Sequence, residues 1–173
     1  MRSGLLRMLT TAGALTVAMA VMPAALPAQG GATVLNPADM TKLMPASVFY
    51  RGQTATTQLR NSGGVKFHDG YFVLASLVDT SGYSSAVASK YQGYFITEVP
   101  IKINGKVLAS GVYGIGFIAG NRFLVTDVGG HDVLSVASAA DAKLERPRPL
   151  EVLADPSGGF RLYAGRQYIV LVR

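Results

Sequence analysis

From Ala46 onward the apolar positions recur in twos, and the chain reads as a succession of short β-strands. In "YFITEVPIKI", Phe95, Val99, Ile101 and Ile103 fall on one side of an extended chain, while Glu98, Pro100 and Lys102 fall on the other. That pattern predicts a half-buried strand, and Pro100, which has no N–H to donate, suits an edge. "YFVLASLV" and "YIVLV" are apolar on both sides, so each is expected to be central or covered by a second sheet. Other β-branched and aromatic runs are "SVFYR", "ATTQLR", "KVLASGVYGIGFI", "RFLVTDV", "DVLSVAS", "PLEVLA" and "FRLYA". Asn104-Gly105 is the strongest hairpin signal, because both central residues of a two-residue turn need positive φ. "RNSGG", "AGN", "DVGGHD" and "DPSGG" are expected to be turns as well. Many short strands at near-regular spacing predict an all-β domain, an antiparallel β-sandwich, with a small closed β-barrel as the alternative.

Ahead of the strands the pattern differs. In "NPADMTKLMP", Asn36 can cap, Pro37 suits the first helical position, Asp39 sits in the first turn and Pro45 lies just beyond the end. One or two helical turns fit there, preceded by an unstructured leader from Gln29 to Leu35. "GYSSAVASKY" is expected to be a loop or a helical turn. In "AADAKLERPRP", Ala139–Glu145 suggests a helical turn before a stiff crossing at Pro147 and Pro149.

The first 28 residues have the parts of a secretory signal: Arg2 and Arg7, an uncharged apolar run from Leu9 to Met22, Pro23 and Pro27, then small residues with cleavage expected after Ala28. A retained membrane anchor is the rival reading. The organisation is therefore a signal peptide over 1–28, a leader with a short helix over 29–45, and one all-β domain over 46–173. Sixteen Lys and Arg stand against ten Asp and Glu, a net charge of +6; removal of Arg2 and Arg7 leaves fourteen against ten, or +4. This is a mild excess that suits solubility and weak attraction to an anionic envelope. The absence of cysteine rules out disulfides, thiolate metal sites and lipid attachment to an N-terminal cysteine, so packing alone must hold the domain. An exported location, periplasmic or secreted, follows, with nucleic acid not expected as a partner and no integral membrane domain after signal cleavage. An outer-membrane barrel fits poorly: several strands fall short of the roughly 9–11 residues such a strand needs, and two are apolar on both faces.

Four sets of residues carry candidate chemistry. Gly114-Ile-Gly116-Phe-Ile-Ala119 spells a dinucleotide-binding fingerprint, but that motif needs a helix after its turn. Here Tyr113, Ile115 and Phe117 alternate through it and Gly120-Asn121 follows at once, so a strand and no nucleotide are expected. The bare glycine face instead lets a backbone, a bend or a ligand come close. His68-Asp69 and His131-Asp132 both fall at turns; if the fold joined them, His68, His131 and Asp132, with Asp69 or Asp127, would make a metal-dependent or hydrolytic site. Tyr83, Lys90, Tyr91, Gln92 and Tyr94 crowd one polar segment, where amphipathic rings on a loop can grip a peptide, a glycan or another subunit, or else fold back to cover an end of the core. Glu145 and Glu151 flank the proline crossing, and a modest cationic excess runs through Lys143, Arg146, Arg148, Arg161, Arg166 and Arg173. No Gly-x-Ser-x-Gly elbow is present.

Gly105, Lys106, Leu108, Gly111 and Tyr113 form a G-K-x-L-x-x-G-x-Y hairpin that, with "RPRPLEVLADPSGGFRLYAGRQYIVLV", resembles exported bacterial β-domain proteins of uncharacterised function. The resemblance covers the second half of the chain and implies a β fold and export, with no activity to transfer. The expected function is an exported non-enzymatic binding or assembly module of the bacterial envelope or cell exterior, without a cofactor, meeting an envelope component, peptide, glycan or second copy. The alternatives are a small hydrophobic-ligand carrier, bordered by Gly114 and Gly116, and an enzyme built on His68 and His131.

Overall fold

A computed structural model of the chain describes residues 31–173; the expected signal peptide and its cleavage point after Ala28 lie outside the described residues. The order is β1 (Thr33–Leu35), α1 (Pro37–Leu43), β2 (Ser47–Tyr50), β3 (Gln53–Lys66), β4 (Phe72–Val78), α2 (Ser85–Ala88), β5 (Gly93–Thr97), β6 (Ile101–Ile103) and β7 (Lys106–Leu108). It continues with β8 (Gly111–Ile118), β9 (Arg122–Thr126), β10 (Asp132–Ala137), β11 (Ala139–Ala140), β12 (Glu151–Ala154), β13 (Phe160–Ala164) and β14 (Gln167–Val172). Two antiparallel sheets stack as a β-sandwich and neither closes into a barrel. The first runs β1-β3-β4-β5-β8-β9-β10, with β2 also paired to β3; the second runs β12-β13-β14-β6-β7, with β11 also paired to β14.

Alternation explains the sandwich interior. Val73 and Ala75 of β4, Phe95 of β5, Ile115 of β8 and Phe123 and Val125 of β9 face Ile101, Ile103, Val152, Leu162, Ile169 and Leu171 across it. Phe95, Val99, Ile101 and Ile103 are all buried, as the pattern in "YFITEVPIKI" requires, but Phe95 lies on β5, Ile101 and Ile103 lie on β6, and Val99 lies on the connection between them. The chain leaves the first sheet after Thr97 and enters the second at Ile101. The same core lies between the sheets, so the alternation survives the crossing and hides it.

The opposite face of the first sheet is covered too. Leu74 and Val78 of β4 and Tyr94 of β5 pack beneath Met40 and Met44 of the α1 segment, Val48 and Tyr50 of β2, and Tyr91. The helix ends as its punctuation requires: Asn36 Oδ1 accepts from the N–H groups of Ala38 and Asp39, and the Asp39 carboxylate accepts from the Asn36 N–H.

Three local expectations are corrected. Thr33–Leu35 of the expected leader forms β1, which pairs with β3 from Thr33↔Lys66 to Leu35↔Gly64; three residues are too few to show a period. "RNSGG" is not a turn but the middle of β3, which carries a register shift between Gln58 and Ser62. Its glycines serve close approach: a Cβ on Gly64 would lie 2.5 Å from the Val73 carbonyl oxygen. Ala139–Glu145 forms no helix either; Ala139–Ala140 joins β14 as β11, and the chain then crosses the outer face of the second sheet.

Candidate functional site

The crossing segment makes a groove. Asp141 sets it: its Oδ1 accepts from the Lys143 N–H at 3.0 Å and its Oδ2 from the Tyr163 hydroxyl at 3.0 Å. Arg166, in the β13–β14 turn, holds the far side by donating to the carbonyls of Asp141, Ala142 and Leu144. Pro147 and Pro149 then carry the chain to Leu150, which is buried, and into β12. Under this arch Arg161 and Tyr163, two apart on β13, share the outward face. The Arg161 guanidinium donates to Asp155 and to the Tyr163 hydroxyl, and lies 4.4 Å over the Tyr168 ring.

The groove has a volume of about 550 Å³, within the range of ligand sites. Its floor is apolar, from Leu144, Leu153, Ala154 and Pro156, and its walls carry Asp141, Glu145 and Glu151 against Lys143, Arg146 and Arg161. Asp141 and Arg161 are held in place by their partners. The Tyr163 hydroxyl holds the Asp141 carboxyl below its usual range, with Arg161 adding to the effect. Burial pushes Asp155 up, but hydrogen bonds from Ser157 and Arg161 outweigh it and leave it lowered. Arg161 is raised by Tyr163 and Asp155, and burial raises Tyr163. Glu151 is different. Its side chain is 13 % exposed, Oε2 lies 3.9 Å from Arg148 Nε, and Oε1 is buried without a hydrogen-bond partner. A buried acceptor left unmatched is costly, and Glu151 is held there by its place at the start of β12.

The tyrosine segment lies elsewhere, on the covered face of the first sheet. Tyr91 and Tyr94 are enclosed, so neither presents a face to a partner. Tyr91 stacks on Tyr50 with ring centroids 3.7 Å apart, and half-buried Tyr83 meets both rings edge-on and donates to the Tyr50 carbonyl at 3.0 Å. Gln92 is spent on the backbone, its amide donating to Phe117 O at 3.0 Å and accepting from Phe117 N at 2.9 Å. Lys90 is exposed, 3.9 Å from Asp132. The glycine fingerprint explains this packing. Gly114 and Gly116 lie within β8, with no helix after them; a Cβ on Gly114 would sit 2.5 Å from the Tyr50 ring, and one on Gly116 2.2 Å from the Lys90 carbonyl oxygen.

The histidines do not meet. His68 follows the end of β3, whereas the turn holding His131 packs at its start, where Arg51 N–H donates to Val128 O and Gly130 touches the Arg51 side chain. Fourteen residues of strand separate the two places. His131 Nδ1 lies 3.0 Å from Asp127, Asp69 is gripped by Arg173, and Asp132 faces Lys90. Among the described residues no group of three or more His, Cys, Asp or Glu is placed to hold a metal ion. Reasoning from sequence missed Asp141, Glu151, Arg161 and Tyr163 as a set. The available signal was Arg161 and Tyr163 at i and i+2 in an otherwise apolar strand, beside a proline crossing flanked by acids.

No protein-family model, curated protein or solved structure matches the chain. Among the described residues no helix is long and apolar enough to cross a membrane.

Proposed function

We propose that the chain is an exported, non-enzymatic binding module of the bacterial envelope or cell exterior, and that the groove under the Asp141–Pro149 arch is its contact site. The observation that carries this reading is the open groove of about 550 Å³ itself, in which Leu144, Leu153, Ala154 and Pro156 lie among three acidic and three basic side chains, Glu151 among them. Balanced charges and an apolar floor suit a partner that is itself mixed, a peptide or glycan presenting N–H or O–H groups. Asp141, Asp155 and Arg161 are all pushed further into their charged forms, which suits fixed recognition better than proton transfer near neutral pH. The space that a hydrophobic-ligand carrier would use beside Gly114 and Gly116 is taken by Tyr50, Tyr91 and the Lys90 backbone; the remaining void at Gly116 is about 10 Å³.

The test is a fluorescently labelled protein from the exported fraction, applied to peptide and glycan arrays beside its Glu151→Gln and Leu153→Arg variants. Binding to a donor-rich peptide or glycan is expected, weakened about tenfold by Glu151→Gln and abolished by Leu153→Arg. Hits that survive both substitutions would place the contact elsewhere, and a blank array would remove the reading. The mass of the same preparation checks cleavage after Ala28.

A further inference from the structure

We propose that the cleft at the mouth of the sandwich, between the β6–β7 turn and the β9–β10 hairpin, is a second binding site, and that it takes a tetrahedral oxyanion, a phosphate group. This stands independently of the groove at Glu151. The cleft measures about 480 Å³, and its wall carries Asn104, Lys106, Asn121, Arg122 and Ser135 and no carboxylate. Lys106 comes from the second sheet and Arg122 from the first, yet both converge on one residue. Lys106 Nζ donates to the Ser135 carbonyl at 3.1 Å, and Arg122 donates to the Ser135 hydroxyl through Nε at 3.1 Å and Nη2 at 2.6 Å. Neither cation has an acidic partner among the described residues. An anion entering this cleft would meet two positive charges and no carboxylate.

The cleft is built to hold them there. Asn104 and Gly105 make the tight turn, at φ 45° and 83°. The Asn104 side chain then ties that turn to both sheets, donating to Ala137 O at 2.7 Å and accepting from Val170 N at 2.7 Å. Opposite, Arg122 follows Asn121, whose backbone carbonyl accepts from Ser138 N at 2.7 Å and whose side chain accepts from Gln167 at 3.1 Å. The donor ledger points outward. Lys106 uses one of its three N–H groups and Arg122 two of its five. The Ser135 hydroxyl accepts from the guanidinium, so its own proton is directed elsewhere. Three donor groups line one cleft, and a phosphate has enough oxygens to accept from all three, whereas a planar carboxylate offers two in one plane.

Thermal melting tests this with inorganic phosphate against chloride at matched ionic strength and pH, followed by calorimetric titration. Phosphate is expected to raise the Tm of the wild-type chain by selective binding to the folded state. Lys106→Gln and Arg122→Gln should each weaken binding about tenfold or more and remove that rise. Lys42→Gln, in the last turn of α1, should change neither. Lys106 is exposed and makes a single hydrogen bond, so Lys106→Gln keeps the test decisive if Arg122→Gln unfolds. Two further arms distinguish the phosphate's source: short polyphosphate chains, and phosphatidylglycerol vesicles compared with phosphatidylcholine vesicles. Lys106-dependent binding to the anionic vesicles assigns the phosphate to a lipid headgroup; binding to free phosphate or polyphosphate alone assigns it to a soluble ligand. The proposal is overturned if phosphate acts no better than chloride, if Lys42→Gln weakens binding as much as Lys106→Gln, or if glucuronate, a carboxylate, binds more tightly than phosphate.

Discussion

The first sheet is buried on both faces, and the two cores it serves are made of different materials. Between the sheets the contacts are mostly aliphatic and phenylalanine side chains, two residues apart along each strand, meeting their like across the sandwich. On the far face they are methionines and tyrosines contributed by a helix, a hairpin and a loop, fitted over bare glycines. The first core needs only that apolar residues recur in twos, which any sandwich can satisfy. The second needs particular rings above particular glycines, and it tolerates substitution in a different way.

The largest test of that difference compares Phe95→Ala with Gly116→Ala. Phe95→Ala empties a fully buried site in the shared interior and should cost about 3–5 kcal/mol across the whole domain. Gly116→Ala adds one carbon 2.2 Å from the Lys90 carbonyl and should cost about 3 kcal/mol. Its damage should concentrate in residues 79–92, seen as faster amide exchange there than in β13 and β14. Equal exchange in both regions would show the two cores to be a single cooperative unit.

A pH series separates the outer face of the second sheet from the tyrosine core by the sign of their titrations. Asp141 and Asp155, on the second sheet's side, have folded pKa values below the ordinary carboxylate value. Their stabilisation is complete above roughly pH 4 and lost as the pH falls through the lower folded values. Burial raises Tyr83, Tyr91 and Tyr94 on the other side. Their contribution is complete below the usual phenol value of about 10 and lost as the pH rises through and beyond it. Urea midpoints should therefore decline at both extremes, with Asp155→Asn flattening the acid limb and Tyr91→Phe the alkaline one. An alkaline limb unchanged in Tyr91→Phe would detach that decline from the tyrosine core.

The smallest effects distinguish two stacked rings. The Tyr50 hydroxyl bonds Thr126 Oγ1 at 2.9 Å, whereas the Tyr91 hydroxyl is buried with no partner. Tyr50→Phe should cost about 1 kcal/mol, and Tyr91→Phe should stabilise by a similar amount, because an unmatched buried hydroxyl is removed. Denaturant titration of both variants checks the sign.

The contrast between the cores also accounts for what was legible beforehand. "YFITEVPIKI" and "YFVLASLV" announce buried strands because alternation is a local property, and the turns at Asn104-Gly105 and Gly120-Asn121 follow from residues that accept positive φ. The glycines of "RNSGG" misled because close approach and tight turning call for the same residue. The tyrosine loop was visible as a cluster, but its direction was not: Tyr50, the ring on which Tyr91 stacks, lies 41 residues upstream. The groove was hidden in the same way, since Asp141, Glu151 and Arg161 each look like ordinary surface charges until the chain crosses over.

The sequence by itself determined the all-β character, the capped helix, most of the turns and the buried face of strands such as "YFITEVPIKI", because each depends on neighbours within a few positions. Tertiary structure alone decided where "YFITEVPIKI" changes sheets, which face the glycines of β8 present to Tyr50 and Tyr91, and that Lys106 and Arg122 share a serine. Those outcomes depend on pairings between residues far apart in the chain, and a local pattern of apolar and polar positions carries no record of its distant partner.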